Sequence, residues 1–365
     1  MNHDQEPANQ KHPRFIVRED APFNGGPPLD LLAQAHLTPP ALFFVRSHGA
    51  VPAIDPASYR CLVGGLVERE RSFTLADLAA LPQADLVATI QCAGNRRSEL
   101  IEYAPIPNET AWGAEAIGTA VWRGVWLHDL LTAVGLRPGA GHVAFLGLDD
   151  VQKDGRHVGF GGSIPLEKAL QGGVLLATEM NGQPLSPMHG YPLRVVVPGY
   201  IGARSVKWLG AISLQAAPSA NYFQASAYRF APAAPGEAGN NLGFPLGELS
   251  ITSVICVPEA GARLSAGSAQ VVGYAMAGGS RQVAQVELST DQGRSWHTAD
   301  MTSADAVGSW CLWRAQLDIT NETASIIVRA WDTAANSQPA LVEQVWNAKG
   351  YMNNAWHRVP VIVAG

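Results

Sequence analysis

Cysteine is scarce and scattered: Cys61, Cys92, Cys256 and Cys311 stand far apart in 365 residues, with no C-x-x-C pair and no histidine spacing of the zinc type. Neither a disulfide framework nor a cysteine-built metal cage is expected, and a chain of this size needs neither to hold a core. No haem-attachment motif C-x-x-C-H is present, so no haem is expected in this chain. Charge is also sparse. Asp, Glu, Lys and Arg make up 15% of the residues, and the net charge of −6 comes without a Lys/Arg cluster long enough to follow a phosphate backbone, which argues against nucleic acid as a partner. No run of about 18 apolar residues occurs, so no membrane-spanning helix is expected. The polar start Met1-Asn2-His3-Asp4-Gln5-Glu6-Pro7 lacks the basic and apolar regions of a secretory leader, and Val363-Ala364-Gly365 is not a peroxisomal address. A cytoplasmic location is expected, or a periplasmic one if a leader has been trimmed.

What is abundant is apolar residue, at 47%, enough for a large core and, at this length, for two domains. Residues 1–40 read as an arm, rich in proline and polar residues, with Pro27-Pro28 and Pro39-Pro40 holding the residues before them extended. Strands are expected at Ala41–Val45, Tyr59–Val63, Leu86–Gln91, His142–Leu148 and Leu193–Val197. Thr74 with Asp77 predicts a capped helix ending before Pro82. Leu127–Val134 has helical spacing with Gly135 as its stop, and Pro165–Leu170 reads as a short helix with proline in its first turn. Gly159–Ser163 lacks the strand-to-helix context of a phosphate loop and reads as a turn. Strands and short helices mix without regular βαβ alternation, which places residues 41–235 in the α+β class. Ala231–Gly239 has linker composition. Beyond it, short strands at Val271–Met276, Val283–Thr290, Trp310–Leu317 and Ser325–Trp331, closed by turn signals, predict an immunoglobulin-like β-sandwich over 236–365, suited to dimerisation.

The chemistry centres on Leu86–Arg97, a buried strand that delivers Cys92 to a corner at Gly94-Asn95 followed by two arginines. A lone cysteine at a strand end is more often inert than reactive. Neighbouring cations favour its thiolate, which leaves nucleophile, redox thiol and soft-metal ligand as three open roles. Arg46 and His48 stand at another strand end, and His189, Arg194, Arg204 and Lys207 at further ones. Several arginines lining one cleft would draw a small anion into an acidic protein.

In these stretches the chain resembles the sulfite oxidases, molybdenum-cofactor enzymes that share their catalytic domain with assimilatory nitrate reductase. The similarity is carried by Phe44-Val45-Arg46-Ser47-His48, Gln91–Leu100, Glu179–Leu185, His189–Gly199, Ser205–Gly210 and Asn354–Val359, in one order across both domains. The resemblance implies that Cys92 is the protein thiolate on molybdenum. It implies a pterin and phosphate held by Phe44, Val45, Arg46, Ser47, His48, Asp149 (or Asp150), His189, Arg194, Ser205, Val206 and Lys207. It implies an anion pocket of Arg46, Arg97, Trp112, Tyr228 and Lys349. The expected reaction is oxidation of sulfite to sulfate, with electrons passed to an external acceptor such as a cytochrome, another redox protein or dioxygen, in a homodimer. Two positions depart from the family pattern: Lys349 replaces a usual arginine, keeping the charge but not the planar grip, and Asn108 replaces a common lysine. They make the pocket less cationic. Two alternatives follow: oxo transfer on another sulfur compound, nitrate or an S- or N-oxide, separable by turnover with each anion, and a non-catalytic pterin-binding module, separable by whether any substrate changes the metal's oxidation state.

Overall fold

The computed structural model describes residues 10–153, 155–231, 235, 243–303 and 306–364. Most of the chain is sheet. Among the described residues the longest α-helix, Leu127–Val134, has eight residues, so helices serve mainly to cap sheet edges. The segment read as a linker lies largely outside the described residues.

The first domain is built on two five-stranded sheets. In one, the order is Gly161–Pro165, His142–Gly147, Leu209–Gln215, Cys61–Gly65, Arg71–Phe73, antiparallel except where Leu209–Gln215 runs parallel to Cys61–Gly65. In the other, Gln183–Pro184, Leu175–Met180, Ile117–Trp126 and Gln83–Gln91 lie side by side, and Arg194–Val196 also pairs with Leu175–Met180. A core of aliphatic and aromatic residues from both sheets, with the apolar faces of the short helices, joins them. Local signals place the helices. Thr74 Oγ1 accepts from Asp77 N at 3.0 Å and an Asp77 carboxylate oxygen accepts from Thr74 N at 2.9 Å, which satisfies two first-turn amides reciprocally. Gly135, at φ 73°, ends Leu127–Val134 where a side chain would be strained.

Three local expectations are corrected. Ala41–Val45 is not a strand; only Val45 bridges to Gly25, because Phe43 and Phe44 are packed into a core rather than alternating across a sheet. Gly159–Ser163 is not simply a turn, since Gly161–Pro165 is a strand whose glycines admit Phe145 O and the Arg204 guanidinium where a Cβ would clash. Pro165 closes that strand and precedes the helix Leu166–Leu170 instead of lying in its first turn.

The arm contributes the pair Ile16–Glu19 with Asn24–Gly26 and the helix Leu29–Leu32, and Gly25 and Val45 exchange backbone hydrogen bonds at 3.1 and 2.8 Å. The second domain packs a four-stranded sheet, Thr252–Val257, Gly267–Met276, Cys311–Ile319, Asp300–Ser303, on a five-stranded one, Ala262–Ser265, His357–Ala364, Ser325–Asp332, Val283–Ser289, His297–Thr298. Their facing side chains form one core. Among the described residues no helix is long and apolar enough to cross a membrane.

Candidate active site

The strand Gln83–Gln91 passes from exposed to buried along its length and stops one residue before Cys92. The chain then makes two successive turns, Asn95 N to Cys92 O at 3.0 Å and Arg97 N to Gly94 O at 3.0 Å. Gly94 is required here: a Cβ would lie 2.8 Å from Arg97 Cζ, so the guanidinium folds back only over a bare backbone. Gly94 N points at Cys92 Sγ from 3.4 Å. Cys61, Cys256 and Cys311 are sealed in apolar cores, and burial pushes the Cys61 thiol up to about 12. Cys92, by contrast, lines a cleft.

That cleft encloses roughly 680 Å³ including its open mouth. Phe44, Val45, Arg46, Ser47, His48, Asp149, His189, Arg194, Ser205, Lys207, Tyr228 and Cys92 all line it, together with Phe160, Met188 and Trp208. Val206 does not line it; its side chain is in the core and its carbonyl accepts from Val195 N at 2.9 Å, which fixes Ser205 and Lys207 on either side. Lys207 Nζ donates to Ser47 Oγ and Met188 O, both at 2.9 Å. Arg194 donates to His189 O at 2.9 Å and Ser205 O at 3.1 Å, and its guanidinium lies over Trp122. His48 stacks on Phe160 with centroids 4.7 Å apart, and Tyr228 OH is hydrogen-bonded to His48 Nε2 at 2.9 Å.

Electrostatics separate this cleft from an ordinary polar groove. Burial, then the nearby cations, holds His48 and His189 well below the usual histidine value, so both are neutral at pH 7. Burial pushes Arg194 down to about 9 and holds Lys207 well below its ordinary value, with Arg194 adding to the effect on Lys207. The one carboxylate in the lining, Asp149, accepts from Phe160 N at 3.1 Å and is itself raised by burial. The lining thus gathers more basic groups than carboxylates, and an entering anion would favour their charged forms.

The remaining expected residues lie beside the cleft. Trp112 is fully buried in the cluster behind Cys92, edge-on to Phe44 at 6.5 Å, and forms no wall of the cavity. Arg97 is 2% exposed and gives Nε to Lys349 O and Gly350 O at 3.0 and 3.2 Å and Nη1 to Thr110 O at 3.0 Å. It stacks on Tyr351, which stacks on Tyr228. Lys349 reaches Glu109 at 3.1 Å, and Glu109 also meets Arg97 at 3.3 Å.

Sequence reasoning missed three groups. Lys11, from the arm, buries its ammonium against Pro40 O, Phe43 O and His189 Nε2 at 2.7, 2.8 and 3.0 Å. Asn24 fixes Ser47, accepting from its N–H at 2.6 Å. Arg96, assigned no role by the sequence, sits in the left-handed region at φ 66°, forks onto Glu99 with two bonds of 2.7 Å and donates to Ala355 O at 2.7 Å. The partners of Lys11 and Asn24 are brought by the fold, and Arg96, although Glu99 lies only three residues on, also takes Ala355 O from far along the chain.

The donor set fits a phosphate-bearing cofactor with a soft metal: clustered cations and N–H donors at one end, one thiol at the other. Among the described residues no cluster of three His, Cys, Asp or Glu exists to chelate a metal alone, so a metal at Cys92 would take its other ligands from the cofactor. Fold and site together define an oxidoreductase of the molybdopterin-binding class. Residues 48–223 match the family profile "Oxidoreductase molybdopterin binding domain", and residues 245–364 match "Mo-co oxidoreductase dimerisation domain". Over 366 residues the chain is 39% identical to mitochondrial sulfite oxidase of Mus musculus, covering 97% of this chain and 66% of that protein. Over 380 residues it is 37% identical to sulfite oxidase of Arabidopsis thaliana, covering 97% and 95%. The chain therefore spans about two thirds of the length of the mouse relative and nearly all of the plant one. The fold is also that of the sulfane dehydrogenase SoxCD of Paracoccus pantotrophus, at TM-score 0.80 and 24% identity over 98% of this chain and 92% of that one. The chain belongs to the sulfite oxidase family of molybdenum-cofactor oxidoreductases.

Proposed function

We propose that this protein oxidises sulfite to sulfate at a molybdenum–pterin cofactor held in the cleft. The observation that carries the reading is the convergence of Cys92 and ten of the eleven expected cofactor positions on one cavity that gathers more basic groups than carboxylates. Cys92 Sγ would hold the metal, and Lys207, Arg194, Ser205, His48 and His189 the pterin and its phosphate. When bound, the cofactor supplies two-electron oxygen-atom transfer. The balanced change is sulfite plus water giving sulfate, two protons and two electrons, the electrons leaving to an external acceptor. Arg46 lines the cleft, and although burial disfavours its charge, Tyr228, Cys92, Glu19 and Tyr351 together hold its pKa above the ordinary value, so it stays cationic toward an anion. Tyr228 OH feels that arginine's field and would donate to an oxyanion on leaving His48. These groups position and stabilise charge; none acts as a strong acid or base.

The domain limits fit the same reading, with residues 41–235 as the cofactor domain and 236–365 as the dimerising one, bracketing the two profile matches. The strand order of the second domain, with its first, third, seventh and sixth strands in one sheet and its second, ninth, eighth, fourth and fifth in the other, supports an immunoglobulin-like sandwich. The dimerisation-domain match supports a homodimer. A second reading, turnover of another oxyanion, is favoured by Glu109, which offsets the charge of Lys349 and Arg97 in the side pocket. Steady-state turnover of purified, metal-loaded protein with sulfite and an artificial acceptor tests the first reading. No turnover above background, together with activity on nitrate or another oxyanion, refutes it.

A further inference from the structure

Glu109 sits where the anion-facing cations converge. Its side chain is 14% exposed, with one oxygen 3.1 Å from Lys349 Nζ and the other 3.3 Å from Arg97 Nη2. It lies in the turn shaped by Asn108, whose φ of 62° asparagine tolerates better than most residues. Among the described residues it is the only carboxylate paired with either cation. The triad is one aromatic layer from the cleft, since Arg97 lies 5.0 Å from the Tyr351 ring and Tyr351 stacks at 5.2 Å on Tyr228, which lines the cavity.

The two cations differ in freedom. Arg97 is fixed, its Nε and Nη1 committed to three carbonyls. The backbone of Lys349 is fixed too: its carbonyl accepts from Arg97, its N–H donates to Asn347 Oδ1 at 3.3 Å, and Gly350, at φ 59°, brings the turn against Arg97 where a Cβ would lie 2.6 Å from Cγ. The Lys349 side chain, by contrast, is 48% exposed and, among the described residues, tethered at its tip only by Glu109. A long, half-exposed lysine pays little to exchange one carboxylate for another oxyanion.

We propose that Glu109 is the internal counter-ion of the anion pocket, competing with a bound oxyanion for Lys349 and Arg97 and thereby setting the pocket's affinity. The proposal rests on the function proposed above together with the anion pocket that the family resemblance implies, in which Arg97 and Lys349 face the anion. Glu109 acts through those cations and is a positioning residue. With it in place, two positive charges are offset by one negative charge a hydrogen-bond length away, so an entering dianion meets a weaker field and must displace the carboxylate from Lys349.

The test is Glu109→Gln in the metal-loaded enzyme, with sulfate as the probe, measured by calorimetry and as a competitive inhibitor of sulfite turnover. Sulfate is expected to bind roughly tenfold more tightly than to wild type, with KM for sulfite falling more than kcat changes. Adding Lys349→Ala should remove most of that gain. Since Glu109 also neutralises the buried Arg97, the variant is expected to melt lower, and added sulfate should then raise its Tm by more than it raises that of wild type. Sulfate binding equal to or weaker than wild type, or a gain unaffected by Lys349→Ala, overturns the proposal. Sulfate binding in wild type that the variant does not strengthen leaves the sulfite reading standing and sinks Glu109 alone; no sulfate binding and no sulfite turnover in either protein sinks both.

Discussion

The ammonium of Lys11 is the least comfortable charge in the arm, and it makes the docking of that arm depend on pH. Lys11 is 8% exposed, three acceptors surround its Nζ, and Lys207, Arg194 and the neutral His189 face the same region. Burial lowers its pKa from 10.5 to about 7. A lysine depressed in the folded state binds fewer protons there than when released, so stability rises as pH climbs from the folded value toward the unfolded one. The full difference corresponds to about 5 kcal/mol, of which about 2 kcal/mol falls between pH 7 and pH 9. Hydrogen exchange reads this locally, because Gly25 and Val45 exchange backbone hydrogen bonds where the arm meets the domain. After correction for intrinsic exchange, protection of the segment containing Gly25 should grow roughly thirtyfold from pH 7 to pH 9 in wild type and stay nearly level in Lys11→Met. Wild type and variant rising together would refute the assignment to Lys11, since the other buried cations titrate in both.

Three further outcomes are expected. Cys92→Ser, nearly isosteric at a 7% exposed position, should leave the circular dichroism and melting of the protein close to wild type while abolishing molybdenum retention, measured by metal analysis; retention at wild-type stoichiometry would count against the ligand role. Arg96→Ala removes the fork onto Glu99 and the bond to Ala355 O, and should cost about 3 kcal/mol by denaturant unfolding. Burial alone would raise Glu99, but Arg96 holds it below its ordinary value, so wild type gains stability as pH rises through the carboxylate range and the variant should lose that slope. Tyr228→Phe deletes the hydroxyl bonded to His48 Nε2 and should lower kcat/KM about tenfold or more with little change in melting, read by steady-state kinetics.

Local chemistry was legible in the sequence and distant pairing was not. The Thr74–Asp77 cap and the Gly135 stop are visible because cause and effect lie within a few residues. The strand leading to Cys92 is visible for the same reason, while the convergence of His48, His189, Arg194 and Lys207 was carried by resemblance, since no period places four strand ends together. Lys11 finds His189 across 178 positions and Lys349 finds Glu109 across 240, so neither Lys11 nor Glu109 stands out as an isolated letter. Ala41–Val45 misled because an apolar run has no face of its own until a core closes around it. Arg97 was placed beside the corner correctly in chain terms, but its donors are spent on carbonyls and Glu109, which spacing does not reveal.

The division into a cofactor domain and a dimerising domain describes the chain better than it describes the site. Asn95, at the turn after Cys92, donates to Tyr274 OH at 2.9 Å, and that hydroxyl donates to Ala114 O at 2.8 Å. Arg96 donates to Ala355 O, and Met352 N donates to Ala93 O at 2.8 Å. Asn353 Nδ2 donates to Arg96 O at 2.9 Å. Asn95, Arg96, Tyr274, Asn353 and Ala355 are buried, and a buried polar group stripped of its partner costs about 1–3 kcal/mol. The corner that carries the sulfur is therefore held from both domains at once, and its left-handed turn at Arg96 persists because the second domain accepts and supplies the bonds that the turn leaves open. Lys349 and Tyr351 come from that same stretch. Geometry at Cys92 and charge at the anion pocket are thus set together by residues 347–355, so a change in the second domain reaches the chemistry through the backbone of the corner without touching the cofactor cleft itself.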